Sequence, residues 1–134
     1  MIVNELRPLT RHECLRLLRS AEIGRLGFSE HALPSIRPVN FALHGDDIIV
    51  RTTAGGAISK VAGAVVAFEV DEIDAVTHSG WSVVVIGKAE PVTEIDALVS
   101  LADPTRRPWA PGERSCFLRI RAEIVSGRRI IPAA

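Results

Sequence analysis

Apolar and polar positions alternate along most of this chain, and only two longer stretches carry the three-to-four-residue spacing of a helix. The first follows Thr10-Arg11-His12-Glu13, a capping box in which the Thr10 hydroxyl takes the Glu13 amide and Glu13 reaches back to the Thr10 amide. Leu15, Leu17 and Leu18 give it an apolar stripe up to Arg19. The second opens at Thr93 and carries Ile95, Leu98, Val99 and Leu101, with Asp103-Pro104 ending it. Elsewhere the period is two. Ile23 to Ser29 reads as a strand in which Gly24 and Gly27 mark a bulge or a close backbone approach, and Glu30 to Pro34 as a turn. Ser35 to Leu43 follows, with Arg37, Val39, Phe41 and Leu43 on one face and Ile36, Pro38, Asn40 and Ala42 on the other. His44 to Asp47 is turn chemistry, and Ile48-Ile49-Val50 returns as a strand into Arg51-Thr52-Thr53. A Gly-rich loop then leads to a short helix over Ala57–Ala62, ended by Gly63. Val65 to Asp71 is a β-branched strand, Asp71 to Gly80 a polar connection, and Trp81 to Glu90 the longest strand, bent at Gly87. Ser115 to Ile124 alternates Cys116, Leu118 and Ile120 with Phe117, Arg119 and Arg121, and Ser126-Gly127-Arg128-Arg129 ends it. Asn4 to Pro8 is a lead-in and Thr105 to Arg114, without periodicity, a loop.

Six strands joined mostly by hairpins or short helices predict a mainly β protein: an antiparallel sheet closed into a small barrel, with helices packed outside it. A βαβ arrangement would need longer helices between successive strands. The length of 134 residues fits one domain over 1–134 with a real core. An apolar fraction of 47% and a formal charge of +0 exclude a disordered chain and an electrostatic nucleic-acid binder. The same lack of net charge favours an oligomer. No apolar run reaches bilayer-spanning length and MIVNELRPLT has no signal-peptide core, so a cytoplasmic protein without a membrane partner is expected. Cys14 and Cys116 form no CxxC and read as reduced structural thiols.

The chemistry on offer is sparse. GxSxG and GxGxxG are absent, and the four histidines lack metal-ligand spacing, so nucleophilic catalysis, a Rossmann site and a metal site are not expected. Asp71, Glu72 and Asp74 read as a solvated turn after a strand, and Arg106-Arg107 and Arg128-Arg129 as surface charge. The stretch that does carry chemistry runs from Ser35 to Lys60. Thr52, Thr53, the Gly55-Gly56 amides, a helix N-terminus and Lys60 together could cradle a phosphate, with Arg37 adding a bidentate contact. An ordinary hairpin with a solvated loop is the competing reading. Trp81 and Trp109, the only tryptophans, lie beside polar loop residues where a stacking face would be useful; a core or interface anchor is the alternative for Trp81, and a lid or partner contact for Trp109. A flat anionic cofactor that brings its own chemistry fits this set.

The sequence resembles the pyridoxamine 5'-phosphate oxidase-like family of flavin-binding split barrels. The resemblance is carried by Arg37-Pro38-Val39-Asn40-Phe41, Ile49-Val50-Arg51-Thr52-Thr53 with Lys60, Phe68-Glu69-Val70-Asp71, and Gly80-Trp81-Ser82 through Gly87-Lys88-Ala89, in that order and spacing, from about Leu9 to Ile124. It implies a six-stranded antiparallel split barrel, a homodimer, and FMN in two clefts between subunits. It further implies that Arg37 or its strand neighbours and Lys60 hold the FMN phosphate, with Thr52, Thr53 and Ser59 adding hydrogen bonds. The backbone of Pro38, Val39 and Asn40 would address the ring edge, Trp81 and Ser82 would come from the long strand at the interface, and Trp109 would close the site. The true oxidases carry a glutamine and, two residues on, an arginine in the long strand; here Ser82 and Val84 stand there. The C-terminal substrate segment of the oxidases is missing too, so oxidation of pyridoxamine phosphate is not expected. What remains is a flavin-dependent oxidoreductase acting on a small molecule with no protein nucleophile. A deazaflavin in place of FMN, or a flavin- or haem-binding protein without turnover, are the alternatives.

Overall fold

The computed structural model of the chain describes residues 5–53, 55–92 and 115–132. Eight strands and one helix follow in the order β1 (Glu5–Pro8), α1 (Arg11–Arg19), β2 (Ile23–Glu30), β3 (Leu33–His44), β4 (Asp47–Thr53), a single 3-10 turn (Ile58–Val61), β5 (Val65–Asp74), β6 (Ser79–Pro91), β7 (Ser115–Ile120) and β8 (Ile124–Ile131). Every strand pair is antiparallel. The expected helix from Thr93 and the loop from Thr105 to Arg114, with Trp109, lie outside the described residues.

Six strands close a barrel in the order β6-β5-β2-β3-β4-β7 and back to β6, while β8 and β1 extend the sheet outward from β6. Two strands make the closure by changing partners along their length. β3 pairs with β2 from Leu33 to Asn40 and with β4 from Phe41 to His44. β6 pairs with β8 from Gly80 to Ile86 and with β7 from Ala89 to Pro91. These are the longest strands, 12 and 13 residues, because each serves two sheets in turn. Gly87 sits at the changeover in β6: a Cβ there would lie 1.7 Å from the Arg121 carbonyl oxygen, so the bend expected at Gly87 is a close backbone approach.

The inward positions fill the barrel. Leu26, Val39, Phe41, Ile48, Val50, Val66, Phe68, Val70, Val83, Val85, Leu118 and Ile120 form one cluster, in which the Phe41 and Phe68 rings meet edge to face with centroids 4.8 Å apart. Gly24 leaves room for the Phe68 ring, 2.3 Å from where a Cβ would stand. Each end of the barrel has a plug. At the end formed by the start of β6 and the end of β3, α1 inserts Cys14, Leu15 and Leu18, and Arg19 pairs with Asp46 in the β3–β4 turn at 3.0 Å. At the opposite end, where β4 finishes and β5 begins, the 3-10 turn inserts Val61 and packs Ile58 on the core.

Several expectations change. β5 runs on to Asp74 and β6 begins at Ser79, so the polar connection shrinks to a four-residue turn in which the Asp74 carboxylate accepts from the amides of Val76 and Thr77. The lead-in is strand β1, and Ser126-Gly127-Arg128-Arg129 belongs to strand β8 rather than ending one. The Glu30 to Pro34 turn narrows to His31-Ala32, both at positive φ in a two-residue hairpin. The capping box forms with one change: the Thr10 hydroxyl accepts the Glu13 amide and donates to the Glu13 carboxylate, which takes the hydroxyl in place of the Thr10 amide. Among the described residues no helix is long and apolar enough to cross a membrane.

Candidate functional site

The split in β3 creates the site. Beyond the Phe41–Val50 pair, β3 stays with β2 while β4 goes with β7, and Thr52 and Thr53 pair opposite Cys116 and Ser115. The edge of β3 over Arg37, Pro38, Val39 and Asn40 that faces away from β2 therefore has no strand partner among the described residues. Unpaired backbone donors and acceptors at such an edge are available to a ligand's polar rim. Val39 points into the core, so it contributes backbone alone; Arg37 is exposed at the barrel end closed by the 3-10 turn.

Lys60 is at that same end. It is the third residue of the 3-10 turn, which packs against β2 and β4, the neighbours of β3 on either side. Lys60 is exposed, and neither its ammonium nor the Arg37 guanidinium is in an ion pair or side-chain hydrogen bond with another described residue. Two cations without partners among the described residues, at one end of the barrel, suit an anion.

The rest of the loop differs from the expected cradle. The Gly56 amide donates to the Thr53 carbonyl at 3.1 Å, the Ser59 hydroxyl to the Gly56 carbonyl at 2.7 Å, and the Lys60 amide to the Ala57 carbonyl at 3.2 Å. These donors hold the loop's own shape. The expected helix is one turn of four residues, too short for a macrodipole to favour an anion. Thr52 and Thr53 are strand residues and alternate, Thr52 on the inward side with Val50 and Thr53 on the outward side with Arg51. Of the expected cradle, the side chains of Arg37, Lys60 and Thr52 have no hydrogen bond or ion pair with another described residue.

Trp81 and Ser82 are not part of this constellation within one chain. Trp81 is 7% exposed and belongs to the core beside α1, so the core reading of this residue holds and its ring offers no stacking face here. It is also at the wrong end. The Gly63 amide donates to the Ala89 carbonyl at 2.7 Å, and Ala89 is eight strand steps along β6 from Trp81, on the order of 27 Å. Lys60 is three residues from Gly63, within about 11 Å of it. Ser82 faces outward, three strands across the sheet from Asn40, roughly 15 Å away.

Reading the sequence missed one group of residues on that outward face. Asp71 is on β5, not in a turn, and with Glu69 two positions back it flanks Arg25 of β2: Arg25 Nη1 is 2.9 Å from Glu69 Oε1 and 2.9 Å from Asp71 Oδ2. Burial pushes the Glu69 carboxyl above its usual range, and its hydrogen bond with Asp71 adds to this. Asp71 is held below its usual range by that hydrogen bond first and by Arg25 after. The alternation Glu69-Val70-Asp71 inside a β-branched run was the available signal. Both cysteines are unpaired thiols; Cys14 is buried, and burial pushes its thiol up, which keeps it inert.

Known proteins bear on the same features. A family profile described as pyridoxamine 5'-phosphate oxidase matches residues 10–129. An uncharacterised protein of Mycobacterium tuberculosis is 38% identical over 133 residues, 95% of this chain and 87% of that one. Among solved structures, a FAD-binding protein from Mycobacterium smegmatis superposes with a TM-score of 0.81 at 29% identity, covering 92% of this chain and 98% of the other. A FAD-binding protein from Mesorhizobium loti does so with a TM-score of 0.73 at 25% identity, covering 96% and 98%. The profile match spans the capping box, all six barrel strands and most of β8. The chain belongs to the pyridoxamine 5'-phosphate oxidase family.

Proposed function

We propose that this chain binds a flavin nucleotide at the open edge of β3, with Arg37 and Lys60 holding its phosphate and the backbone of Pro38, Val39 and Asn40 addressing the polar edge of the ring. The observation that carries this reading is the coincidence, among the described residues, of a strand edge without a partner and two cations without a partner at one end of the barrel. Thr52, at the parting of β3 and β4, adds a hydroxyl. When bound, the flavin supplies the redox chemistry, and the protein's part is to bind and orient it. FMN is the cofactor proposed, with a deazaflavin as the alternative; two similar structures bear the name FAD-binding, so FAD is tested beside them.

The active unit in this proposal is a homodimer. Among the described residues, seven of the nine exposed large aliphatics, Leu6, Ile23, Ile36, Val65, Ile73, Ile86 and Ile124, fall on the outward face of the sheet β1-β8-β6-β5-β2-β3. Five strand spacings by the length from Val65 to Ile73 give this face roughly 650 Å², near the ~800 Å² per partner of a standard interface. Single exposed aliphatics are ordinary on a monomer, whereas seven on one face favour a partner. A second copy on this face would also supply Ser82 to the site.

The protein so described is a flavin-dependent oxidoreductase acting on a small molecule, and reductase assays with NADH or NADPH test turnover. Binding is tested first, by titrating FMN, FAD and a deazaflavin against wild type and against Lys60→Ala and Arg37→Ala. Wild type is expected to quench the flavin on binding, and each substitution to weaken binding ~10–100-fold, the equivalent of one charge-assisted hydrogen bond. Unchanged affinity in both variants would place the phosphate elsewhere.

A further inference from the structure

The outward face of the sheet is not uniformly apolar. One row across it reads Ile124, Ile86, Ala67, Gly27 and Ile36, each residue opposite the next on the neighbouring strand. The next row reads Ser126, Val84, Glu69, Arg25 and Pro38, and it places Arg25 and Glu69 near the middle of the face with Asp71 beside them. Two carboxylates against one guanidinium leave this cluster one negative charge in excess when both are ionised.

We infer that the Arg25–Glu69–Asp71 cluster makes the pairing of two copies across this face proton-linked, so that the dimer tightens as the pH falls. The inference rests on the homodimer reading given above. A net charge enclosed between two apolar surfaces loses its hydration, and the cheapest relief is for one carboxyl to take up a proton. Glu69 is the group to do so, since its carboxyl already sits above its usual range in the single chain while Asp71 is held below. Covering the face removes more water and raises Glu69 further in the dimer than in the monomer. The state with the higher value binds more protons, and it gains stability as the pH falls through the interval between the two values. Outside that interval the dissociation constant is flat.

The other groups facing the cluster do not supply this proton. On the outward side β6 presents Ser82 and Val84 next to β5, and β3 presents Pro38 and Asn40 next to β2. Arg128 of β8, opposite Ser82, is a further charged residue on this face. The histidines are elsewhere: His12 on α1, His31 and His78 in turns, and His44 at the far end of β3.

The test is the dimer dissociation constant of the flavin-free chain, measured by sedimentation equilibrium from pH 5 to pH 8, for wild type and Glu69→Gln. One proton per chain predicts a constant that falls by up to ~100-fold per pH unit inside the interval for wild type, because two chains each take up a proton. In Glu69→Gln, which keeps the shape and removes the titration, the slope should vanish and the affinity stay near the low-pH wild-type value. A wild-type dimer whose constant does not move with pH, or a Glu69→Gln dimer that keeps the slope, would overturn the linkage while leaving the dimer intact. A chain that stays monomeric throughout would overturn the homodimer reading itself, and flavin titration of that monomer would still decide the cofactor.

Discussion

Gly87 and Ala32 pose opposite problems to the backbone. At Gly87 the obstacle is a carbonyl oxygen of the chain itself, which cannot swing aside as a side chain would. Gly87→Ala is therefore expected to cost ~3–5 kcal/mol, read as a large loss of the urea midpoint or failure to fold. Gly27→Ala is the control on the same sheet: its added Cβ would meet Ala67 at an ordinary 3.7 Å, and its stability should stay within ~1 kcal/mol of wild type. At Ala32 the strain is torsional, with φ at +64° in a turn that favours glycine. Ala32→Gly should raise stability by ~0.5–1 kcal/mol, the relief of left-handed backbone less the added freedom of the unfolded chain. A loss of stability in Ala32→Gly would contradict the turn geometry. Gly87 was legible as a bend because a glycine interrupts a β-branched run. Trp81 remained ambiguous, since its position beside polar residues does not say which face of β6 it takes.

Elements were legible where local signals agree. Thr10, Glu13 and the Leu stripe of α1 combine cap, first turn and amphipathic face in nine residues, and the helix forms as expected. Thr10→Ala should lower stability by ~1 kcal/mol through the orphaned Glu13 amide, measured by urea unfolding; an unchanged midpoint would mean the Glu13 side chain compensates. β8 was missed because its alternation of Ile124, Ser126 and Arg128 with Val125, Gly127 and Arg129 puts polar residues on both faces. Its strand character comes from tertiary context: Gly127 lies against the Cys14 sulfur, and β6 supplies a long ladder of partners. The loop from Thr53 to Lys60 shows the converse. Its composition suggested amides open to a phosphate, but composition does not reveal that the Gly56 and Lys60 amides close on the loop's own carbonyls.

At the scale of the molecule, six alternating segments with short connections were enough to expect a closed antiparallel barrel, because an open sheet of that length would leave two edges exposed. The partner changes in β3 and β6 were not readable, since they depend on which strands meet, and they are what opens the edge at Arg37 to Asn40. The same topology sets Trp81 and Lys60 at opposite ends of the barrel, so residues that cluster in the family resemblance do not cluster in a single chain. In the proposal above, a second copy supplies Ser82 to the site, while Trp81 stays in the core. Sedimentation velocity of the chain with FMN or FAD, followed at both the flavin and the protein absorption bands, tests this central claim most directly. Flavin is expected to travel with a dimer at one flavin per chain. Flavin sedimenting as the free molecule beside the protein would contradict it.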